Sequence, residues 1–319
     1  MKVSLTRLGF GAAPIGNLFL ELPEEEAHAA VDAAWDSGVR YFDTAPHYGL
    51  GLSERRLGAA LAGRPRSDYV VSTKVGRLLE PSDGGGDDLA NGFAVPADRR
   101  RVWDFSADGV RRSLESSLER LGTDHVDVVY LHDPDDHWEE ASRQGIPALV
   151  ELREQGVVGA IGVGMNQWEM PARFVRETDV DVVMLAGRYT LLEQTALSEF
   201  LPLCAERGVA VVAAGVFNSG LLSRPEVPDD AKYDYADAPA NVVDRARRIA
   251  AVCAEHGVVL PQVAIQFALG HPAVVSVVIG SRTAEQMRCN AEHFAAPIPT
   301  ELWSSLRDKG LLDAEVPVP

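Results

Sequence analysis

Four polar side chains of types that move protons follow short apolar runs, three of them as the last residue of a run. They are Asp43, Tyr48, Lys74 and His132, and the runs are Val39–Asp43, Tyr69–Lys74 and Val126–His132. In a parallel barrel the carboxyl ends of all strands lie on one face, where active sites are built. Each residue alone is compatible with a turn, a solvated strand edge or a satisfied core group. Together and in this order they predict one catalytic face.

These residue types suit proton transfer to or from a carbon-bound oxygen. A tyrosine hydroxyl has a pKa of about 10, so it is a weak acid and base at neutral pH unless a cation stabilises its phenolate. Lys74 can be that cation for Tyr48, and Asp43 can hold the lysine by a charge-assisted hydrogen bond. His132 can orient a substrate oxygen. Because this centre needs neither a metal nor a strong nucleophile, it predicts a reaction in which a nicotinamide carries the electrons.

The composition restricts the partners. The 319 residues carry 30 Lys and Arg against 47 Asp and Glu, a formal net charge of −17. This charge would repel nucleic acids and anionic membranes, so we expect a small-molecule substrate and neither of those partners. Cys204, Cys253 and Cys289 lack the spacing of a metal site or disulfide framework, and no apolar run reaches the roughly 18 residues of a membrane span. We expect a cytoplasmic protein without a bound metal, and the composition leaves its oligomeric state open.

Short β-type runs alternate with amphipathic segments, which predicts βαβ units around one parallel barrel. The predicted strands are Leu8–Phe10, Val39–Asp43, Tyr69–Lys74, Val126–His132, Gly159–Val163, Val182–Leu185, Val209–Ala213 and Val274–Ile279. The predicted helices are Pro23–Ser37, Ser53–Leu61, Ser106–Leu121, Ile146–Gln155, Trp168–Thr178, Leu192–Arg207, Gln262–Leu269 and Ala284–Phe294. The glycines expected to cap helices in the left-handed conformation are Gly38, Gly122, Gly156, Gly208 and Gly270.

Three segments interrupt the eightfold alternation. Leu79–Phe105 follows the third strand, and a loop of this length over the barrel mouth is expected to be functional. Leu222–Pro239 leads into an extra amphipathic helix, Asn241–His256, after the seventh strand. A short helix, Thr300–Arg307, precedes a tail that we expect to be poorly ordered. We predict one (β/α)8 TIM-barrel domain over residues 1–309 and a C-terminal tail over residues 310–319.

The chain contains several long motifs, which are Leu8–Gly11, Phe42–Gly49 with Ser53 and Glu54, Val71–Lys74, and Leu118–Asp127 leading to His132. They resemble the motifs of the aldo-keto reductase family, and the resemblance covers nearly the whole chain. The resemblance implies a (β/α)8 barrel that binds NADP or NAD across its carboxyl face without a Rossmann glycine fingerprint. It also implies that the catalytic tetrad of the family is Asp43, Tyr48, Lys74 and His132 in this chain.

The resemblance also implies three groups of cofactor-binding residues, which hold the nicotinamide carboxamide, cover the pyrophosphate and bind the adenosine part. The first group is Asn166, the second is Phe217, Asn218, Ser219, Gly220 and Leu221, and the third is Gly280, Ser281, Arg282, Gln286 and Asn290. In the third group Arg282 and Ser281 would hold a 2′-phosphate and Asn290 the adenine. Two positions depart from the family pattern: Ala186 replaces a usual glutamine, and Ala214 replaces a usual aromatic residue.

Within the family, Ala186–Leu192, His132–His137 and Trp103–Phe105 are similar to sugar dehydrogenases acting on L-fucose and related D-threo-aldoses, with pyridoxal and L-galactose dehydrogenases close by. This similarity implies oxidation of the C1 hemiacetal of a pyranose to a lactone. A mouth with aromatic and polar side chains suits a flat ligand with many hydroxyl groups. The residues expected to contact such a ring are His47, Trp103, Phe105 and His137.

Other functions remain open from the sequence. A pyridoxal 4-dehydrogenase, or a generic NADPH-dependent reductase of aldehydes and ketones, would use the same tetrad. A metal-dependent barrel hydrolase is suggested by the dense potential ligands His132, Asp133, Asp135, Asp136 and His137, although no His-x-His motif lies on an early strand. A redox-sensing binding module that keeps the cofactor and turns over slowly is disfavoured by the complete tetrad.

Overall fold

The computed structural model of the chain describes residues 3–234 and 236–319. In these residues eight strands close into one barrel, and every neighbouring pair of barrel strands is parallel. The last strand pairs with the first, with Gly280 opposite Gly11, and this pairing closes the ring. The predicted single-domain (β/α)8 barrel is confirmed.

Each strand and each helix of the barrel overlaps the one predicted at its position in the sequence. The strands are Leu8–Gly11, Tyr41–Asp43, Val70–Val75, Val128–His132, Ala160–Met165, Val182–Ala186, Ala210–Ala214 and Val274–Gly280. The surrounding helices are Glu24–Asp36, Leu52–Leu61, Ala107–Leu121, Ile146–Glu154, Glu169–Glu177, Phe200–Arg207, Leu260–Phe267 and Ala284–Ala295.

The strands are apolar on both faces because one face fills the barrel and the other packs against helices. All five residues of Val128–His132 are buried, for example. Two helices have side-chain caps at their amino ends, where Ser106 accepts a hydrogen bond from the N–H of Gly109 and Thr283 accepts one from the N–H of Gln286. These caps satisfy backbone N–H groups that have no partner within the helix.

Left-handed glycines end helices at four of the five predicted positions. Gly38, Gly122, Gly156 and Gly208 have φ values of 84°, 65°, 76° and 69°. The prediction for Gly270 is wrong, because this residue ends a 3₁₀ turn, Ala268–Gly270, without a positive φ. A Cβ there would lie 2.6 Å from the backbone carbonyl carbon of Val318, so glycine serves a close approach of the chain at this position.

The amino ends of two helical segments differ from the prediction by more than two residues. The helical backbone that leads into Ile146–Glu154 already starts at Trp138 and includes a π turn, Ala141–Gly145. Pro147 lies close to this turn and lacks the N–H that a regular helical hydrogen bond needs. The predicted helix Leu192–Arg207 begins only at Phe200. Its first residues form turns because the Thr190 side chain accepts hydrogen bonds from the N–H groups of Leu192 and Glu193.

The segment predicted as a long loop after the third strand is instead built from two antiparallel ribbons. Arg77–Pro81 pairs with Arg99–Trp103, and Asp87–Asp88 pairs with Phe93–Pro96. At the base of the first ribbon Gly76 has a φ of 97°, and a Cβ there would lie 2.1 Å from the Phe105 ring. The ribbons therefore leave the barrel through a turn that requires glycine.

Two further helices, Ala240–Glu255 and Thr300–Asp308, lie where extra helical segments are predicted. The expectation of a poorly ordered tail is wrong, because Leu311, Leu312 and Val316 are buried in the main hydrophobic core. Burial of apolar side chains holds these residues against the barrel. The division into residues 1–309 and 310–319 stays a prediction.

Within residues 3–234 and 236–319, we find no single helix with the length and apolar content needed to cross a membrane. Taken together, the helices Ala240–Glu255 and Leu260–Gly270 have the length and apolar composition of a membrane span. The two helices are bent by 104° relative to each other.

Candidate active site

A cavity of about 650 Å³ opens at the carboxyl ends of the barrel strands. The structure brings all four residues of the predicted tetrad to its wall. The rest of the wall comes from the ends of other strands, the loop after the first strand and the ribbon segment Leu89–Phe93. This is the place where an active site is expected in a TIM barrel.

Lys74 is the centre of the polar contacts at the cavity floor. Its Nζ donates to Oδ2 of Asp43 at 2.7 Å, to the carbonyl oxygen of Thr44 at 3.0 Å and to the hydroxyl oxygen of Tyr48 at 3.1 Å. The side chains of Lys74 and Asp43 are only 3% and 4% exposed. All three donors of the ammonium are used, so its position relative to Tyr48 is fixed.

A hydrogen-bonded chain beneath the tetrad holds Asp43 in place. Ser72, opposite Asp43 in the strand register, donates to Oδ1 of Asp43 at 2.6 Å. The Tyr41 hydroxyl lies 3.0 Å from Oγ of Ser72 and 3.1 Å from the Tyr130 hydroxyl. These three residues were missed from the sequence. Their only signal is a hydroxyl group inside an otherwise apolar strand.

Burial and charge shift the pKa values of the tetrad in opposing ways. Burial raises the pKa of Tyr48, and Lys74 offsets part of that increase. Burial also raises the pKa of Asp43 against the lowering effect of Lys74. For Lys74, burial acts to lower the pKa, but the charges of Asp43 and Tyr48 outweigh it and the pKa is raised. The arrangement therefore holds an ammonium and a protonated phenol side by side at neutral pH.

Two histidines face the cavity beside Tyr48. Burial, helped by the charge of Arg77, lowers the pKa of His47 to about 2 and that of His132 well below its usual range. Their rings lie 5.6 Å apart between centroids. In the part of the chain that the structure describes, the buried Nδ1 of each ring has no hydrogen-bond partner. Neutral imidazoles of this kind can donate to or accept from a ligand oxygen without changing charge.

The predicted nicotinamide end of the cofactor site lies on the cavity wall. Asn166 lines the cavity, and so does Gly280 of the predicted adenosine group. Ala186 and Ala214, the two departures from the family pattern, line it as well, so small side chains stand where larger ones are usual. The exposed amide of Asn166 therefore lies on a wall that also carries Met165 and Met184.

The predicted pyrophosphate loop is a run of turns after the seventh strand. Asn218, Ser219 and Gly220 have φ values of 46°, 58° and 92°. Asn218 is buried and accepts a hydrogen bond from Thr190 at 2.7 Å, while Leu221 is buried and Phe217 half-buried. The N–H of Asn218 donates to the carbonyl oxygen of Gly215 and that of Leu221 to the carbonyl oxygen of Asn218, so the backbone of the loop itself holds the turn.

The predicted adenosine segment surrounds the start of the last barrel helix. Asn290 donates to Oγ of the buried Ser281 at 3.1 Å, and Gln286 accepts from the backbone N–H of Arg282 at 2.9 Å. The Arg282 guanidinium donates to the carbonyl oxygen of Leu18 at 2.5 Å. Its Nε is buried and, within the described residues, has no partner. An arginine with an unused donor beside a helix amino end fits a phosphate group.

Of the four predicted substrate residues, the structure brings His47 to the cavity and leaves the other three outside its wall. Trp103 and Phe105 pack with His137 in a separate cluster, with ring centroids 5.3–5.9 Å apart. The Phe105 side chain is completely buried, so it is unavailable to a ligand.

Phe93 supplies an aromatic ring to the cavity wall that the sequence analysis missed. Its centroid lies 5.3 Å from that of His47 and 6.1 Å from that of Tyr48. Arg101 ties the same ribbon to the site by donating to the carbonyl oxygen of His47 at 2.8 Å and to both oxygens of Asp88. The ribbons thus supply a wall of the cavity, although through other residues than predicted.

The potential metal ligands that suggest a hydrolase are not gathered. Among the residues described, no group of three or more His, Cys, Asp or Glu side chains is arranged to hold a metal ion.

Comparisons with known proteins agree with this geometry. The model of the aldo/keto reductase family matches residues 7–310. A D-threo-aldose 1-dehydrogenase from Pseudomonas sp. is 51% identical over 314 residues, which cover 97% of this chain and 95% of that protein. Pyridoxal 4-dehydrogenase from Microbacterium luteolum is 42% identical, with coverages of 97% and 95%. A holo aldo-keto reductase from Bacillus halodurans is structurally similar with a TM-score of 0.75 and 27% identity, covering 99% of this chain and 96% of that one.

Proposed function

The chain belongs to the aldo/keto reductase family and is a nicotinamide-dependent oxidoreductase, and from that premise we propose that it oxidises the C1 hydroxyl of an aldopyranose to a lactone. The observation that carries this proposal is the hydrogen bond from Lys74 to Tyr48 at the floor of a cavity whose wall also holds two neutral histidines. The identity to a D-threo-aldose 1-dehydrogenase supports a sugar as substrate.

In the proposed reaction the C1–H bond of the hemiacetal breaks, and the hydroxyl proton passes to the oxygen of Tyr48. A bound nicotinamide supplies the acceptor for the hydride. Lys74 favours the phenolate form of Tyr48 that accepts the proton, so we expect oxidation to become faster as the pH rises. Asp43 keeps the lysine charged and in place. His132 remains neutral and orients the reacting oxygen toward Tyr48.

We assign the nicotinamide end to Asn166, the pyrophosphate to the loop Phe217–Leu221, and the adenosine part to Gly280, Ser281, Arg282, Gln286 and Asn290. The position of Arg282 just before the last barrel helix supports this assignment, because an arginine beside a helix amino end suits a 2′-phosphate. NADP and NAD are both compatible with the remaining contacts. The net charge of −17 supports a small-molecule substrate, and the three free, widely spaced cysteines support a cytoplasmic enzyme.

The proposal is tested with a panel of aldoses, pyridoxal and simple aldehydes, each with NAD and NADP, by the absorbance of reduced nicotinamide. L-Fucose, D-arabinose or L-galactose should be oxidised in preference to D-glucose, because a site that pairs hydroxyl groups rejects an inverted one. If the protein oxidises pyridoxal efficiently and shows no aldose activity, the substrate is pyridoxal and not a sugar. Reduction of simple aldehydes alone would make the protein a general reductase.

A further inference from the structure

Asp133 is a cavity-lining carboxylate outside the tetrad. It follows His132 directly, and its side chain is 20% exposed, against 4% for Asp43. Asp43 is therefore committed to Lys74 beneath the floor, whereas Asp133 is accessible from the cavity. No part of the proton transfer described above uses it.

The backbone holds Asp133 in an unusual conformation. Its φ is 45°, in the left-handed region that residues other than glycine rarely adopt. The N–H of Asp133 donates to the carbonyl oxygen of Gly164 on the next strand at 3.0 Å, which fixes the turn immediately after the strand ends. Strained conformations persist where the surrounding structure imposes them, and they concentrate at functional sites.

The carboxylate is held from behind by a cation. Arg77 donates to Oδ2 of Asp133, and its guanidinium lies 4.2 Å from the centroid of the Trp103 ring. Trp103 in turn stacks on His137 at 5.4 Å. In the described parts of the chain Arg77 is the one side chain that donates to Asp133, so the carboxylate keeps acceptor capacity for a ligand.

The spacing to the tetrad defines what could bind there. Oδ2 of Asp133 lies 3.7 Å from Nε2 of His132, too far for a direct hydrogen bond. The two oxygens of a vicinal diol are separated by about one hydrogen-bond length. One oxygen can therefore contact His132 while its neighbour donates to Asp133.

We propose that Asp133 selects substrates with a hydroxyl group on the carbon next to the reacting one, and that Arg77 is a positioning residue that acts through it. This inference rests on the proposed function, and it names the hydroxyl group by which the site would recognise the sugar. A hydroxyl that donates to a carboxylate forms a charge-assisted hydrogen bond. A substrate without that hydroxyl leaves the half-buried carboxylate underpaired, which is a basis for rejection.

The test compares kcat/KM for L-fucose and 2-deoxy-L-fucose in the wild type, Asp133→Asn and Asp133→Gly. Both replacements tolerate the left-handed backbone. The wild type should prefer L-fucose by about 10- to 100-fold, the range for a hydrogen bond to a charged group, and the variants should lose most of this preference. Asp136→Asn, which changes an exposed carboxylate three residues further on, should keep it.

Arg77→Met should weaken the same preference, and Arg77→Lys should restore part of it, with cofactor affinity unchanged in both. Equal losses on the two sugars in the Asp133 variants would show a merely structural role and overturn the inference. The inference would also be overturned if the wild type oxidised both sugars equally well, but that result would leave the proposed function intact. A wild type that oxidises no aldose overturns the proposed function itself.

Discussion

The Nζ of Lys74 lies 3.1 Å from the hydroxyl oxygen of Tyr48 and donates a hydrogen bond to it. The contact joins the end of the third strand to the loop after the second, and both side chains line the cavity. Through this contact the charge of Lys74 opposes the effect of burial on the pKa of Tyr48. The proposed chemistry depends on this pair.

Replacement Tyr48→Phe removes the proton-transfer hydroxyl and little else. Turnover should fall by about 10² to 10⁴, the usual contribution of general acid–base catalysis. Cofactor affinity, measured by fluorescence titration, and the thermal unfolding midpoint should stay near the wild-type values. Turnover within a factor of about three of the wild type would contradict the role of Tyr48.

Replacement Lys74→Met should move the pH dependence of oxidation. Lys74 lowers the pKa of Tyr48, so its loss raises that pKa further, and the phenolate needed to accept the proton forms only at higher pH. The rise of kcat with pH should shift in the alkaline direction.

The matched control is the double variant Asp43→Asn with Lys74→Met, which removes both charges and so avoids an unpaired buried carboxylate. Because the charge of Asp43 raises the pKa of Tyr48, the double variant should show a smaller alkaline shift than Lys74→Met alone. A kcat profile that keeps its position in both variants would show that Lys74 does not tune Tyr48.

Replacement Arg282→Ala tests the adenosine segment. If Arg282 holds a 2′-phosphate, its loss should weaken NADP binding by about 1.5–3 kcal/mol, as for a hydrogen bond to a charged group, and leave NAD nearly unaffected. Arg288→Ala, which changes an exposed arginine in the following helix Ala284–Ala295, is the control. Titration calorimetry measures both affinities. An equal loss of affinity for NADP and NAD would mean that Arg282 has only a structural role, through its hydrogen bond to Leu18.

Replacement Leu312→Ala tests the packing of the tail. The Leu312 side chain is 3% exposed, so truncation should lower the free energy of unfolding by about 2–5 kcal/mol, as for other buried leucines. Glu315→Ala, at an exposed position in the same segment, should change it by no more than about 0.5 kcal/mol. Denaturant unfolding measures both, and equal values would mean that the tail adds nothing to stability.

The sequence was sufficient to predict the barrel and the position of the tetrad in it. Asp43, Lys74 and His132 end apolar strands, and in a parallel barrel this alone places them on one face. The network of Ser72, Tyr41 and Tyr130 depends on the register between strands, which the order of residues along the chain does not specify.

The ribbons after the third strand show the same limit. Their aromatic residues were visible in the sequence, but the turn at Gly76 and the pairing of the ribbons decide which ring faces the cavity. Phe93 reaches the wall, whereas Trp103 stacks on Arg77 behind it. The conformation of Asp133 likewise follows from a backbone contact with Gly164 on a distant segment.

The most direct test of the proposed reaction uses L-fucose that carries deuterium at C1, incubated with the wild-type protein and oxidised NAD or NADP. We expect the deuterium to appear on the reduced nicotinamide, with the lactone as the first product seen by NMR before it hydrolyses to the acid. The rate should be lower than with unlabelled sugar when the C1–H bond breaks in the slow step. Failure of the label to reach the nicotinamide, or the free acid as the first product, would contradict oxidation of the hemiacetal at C1.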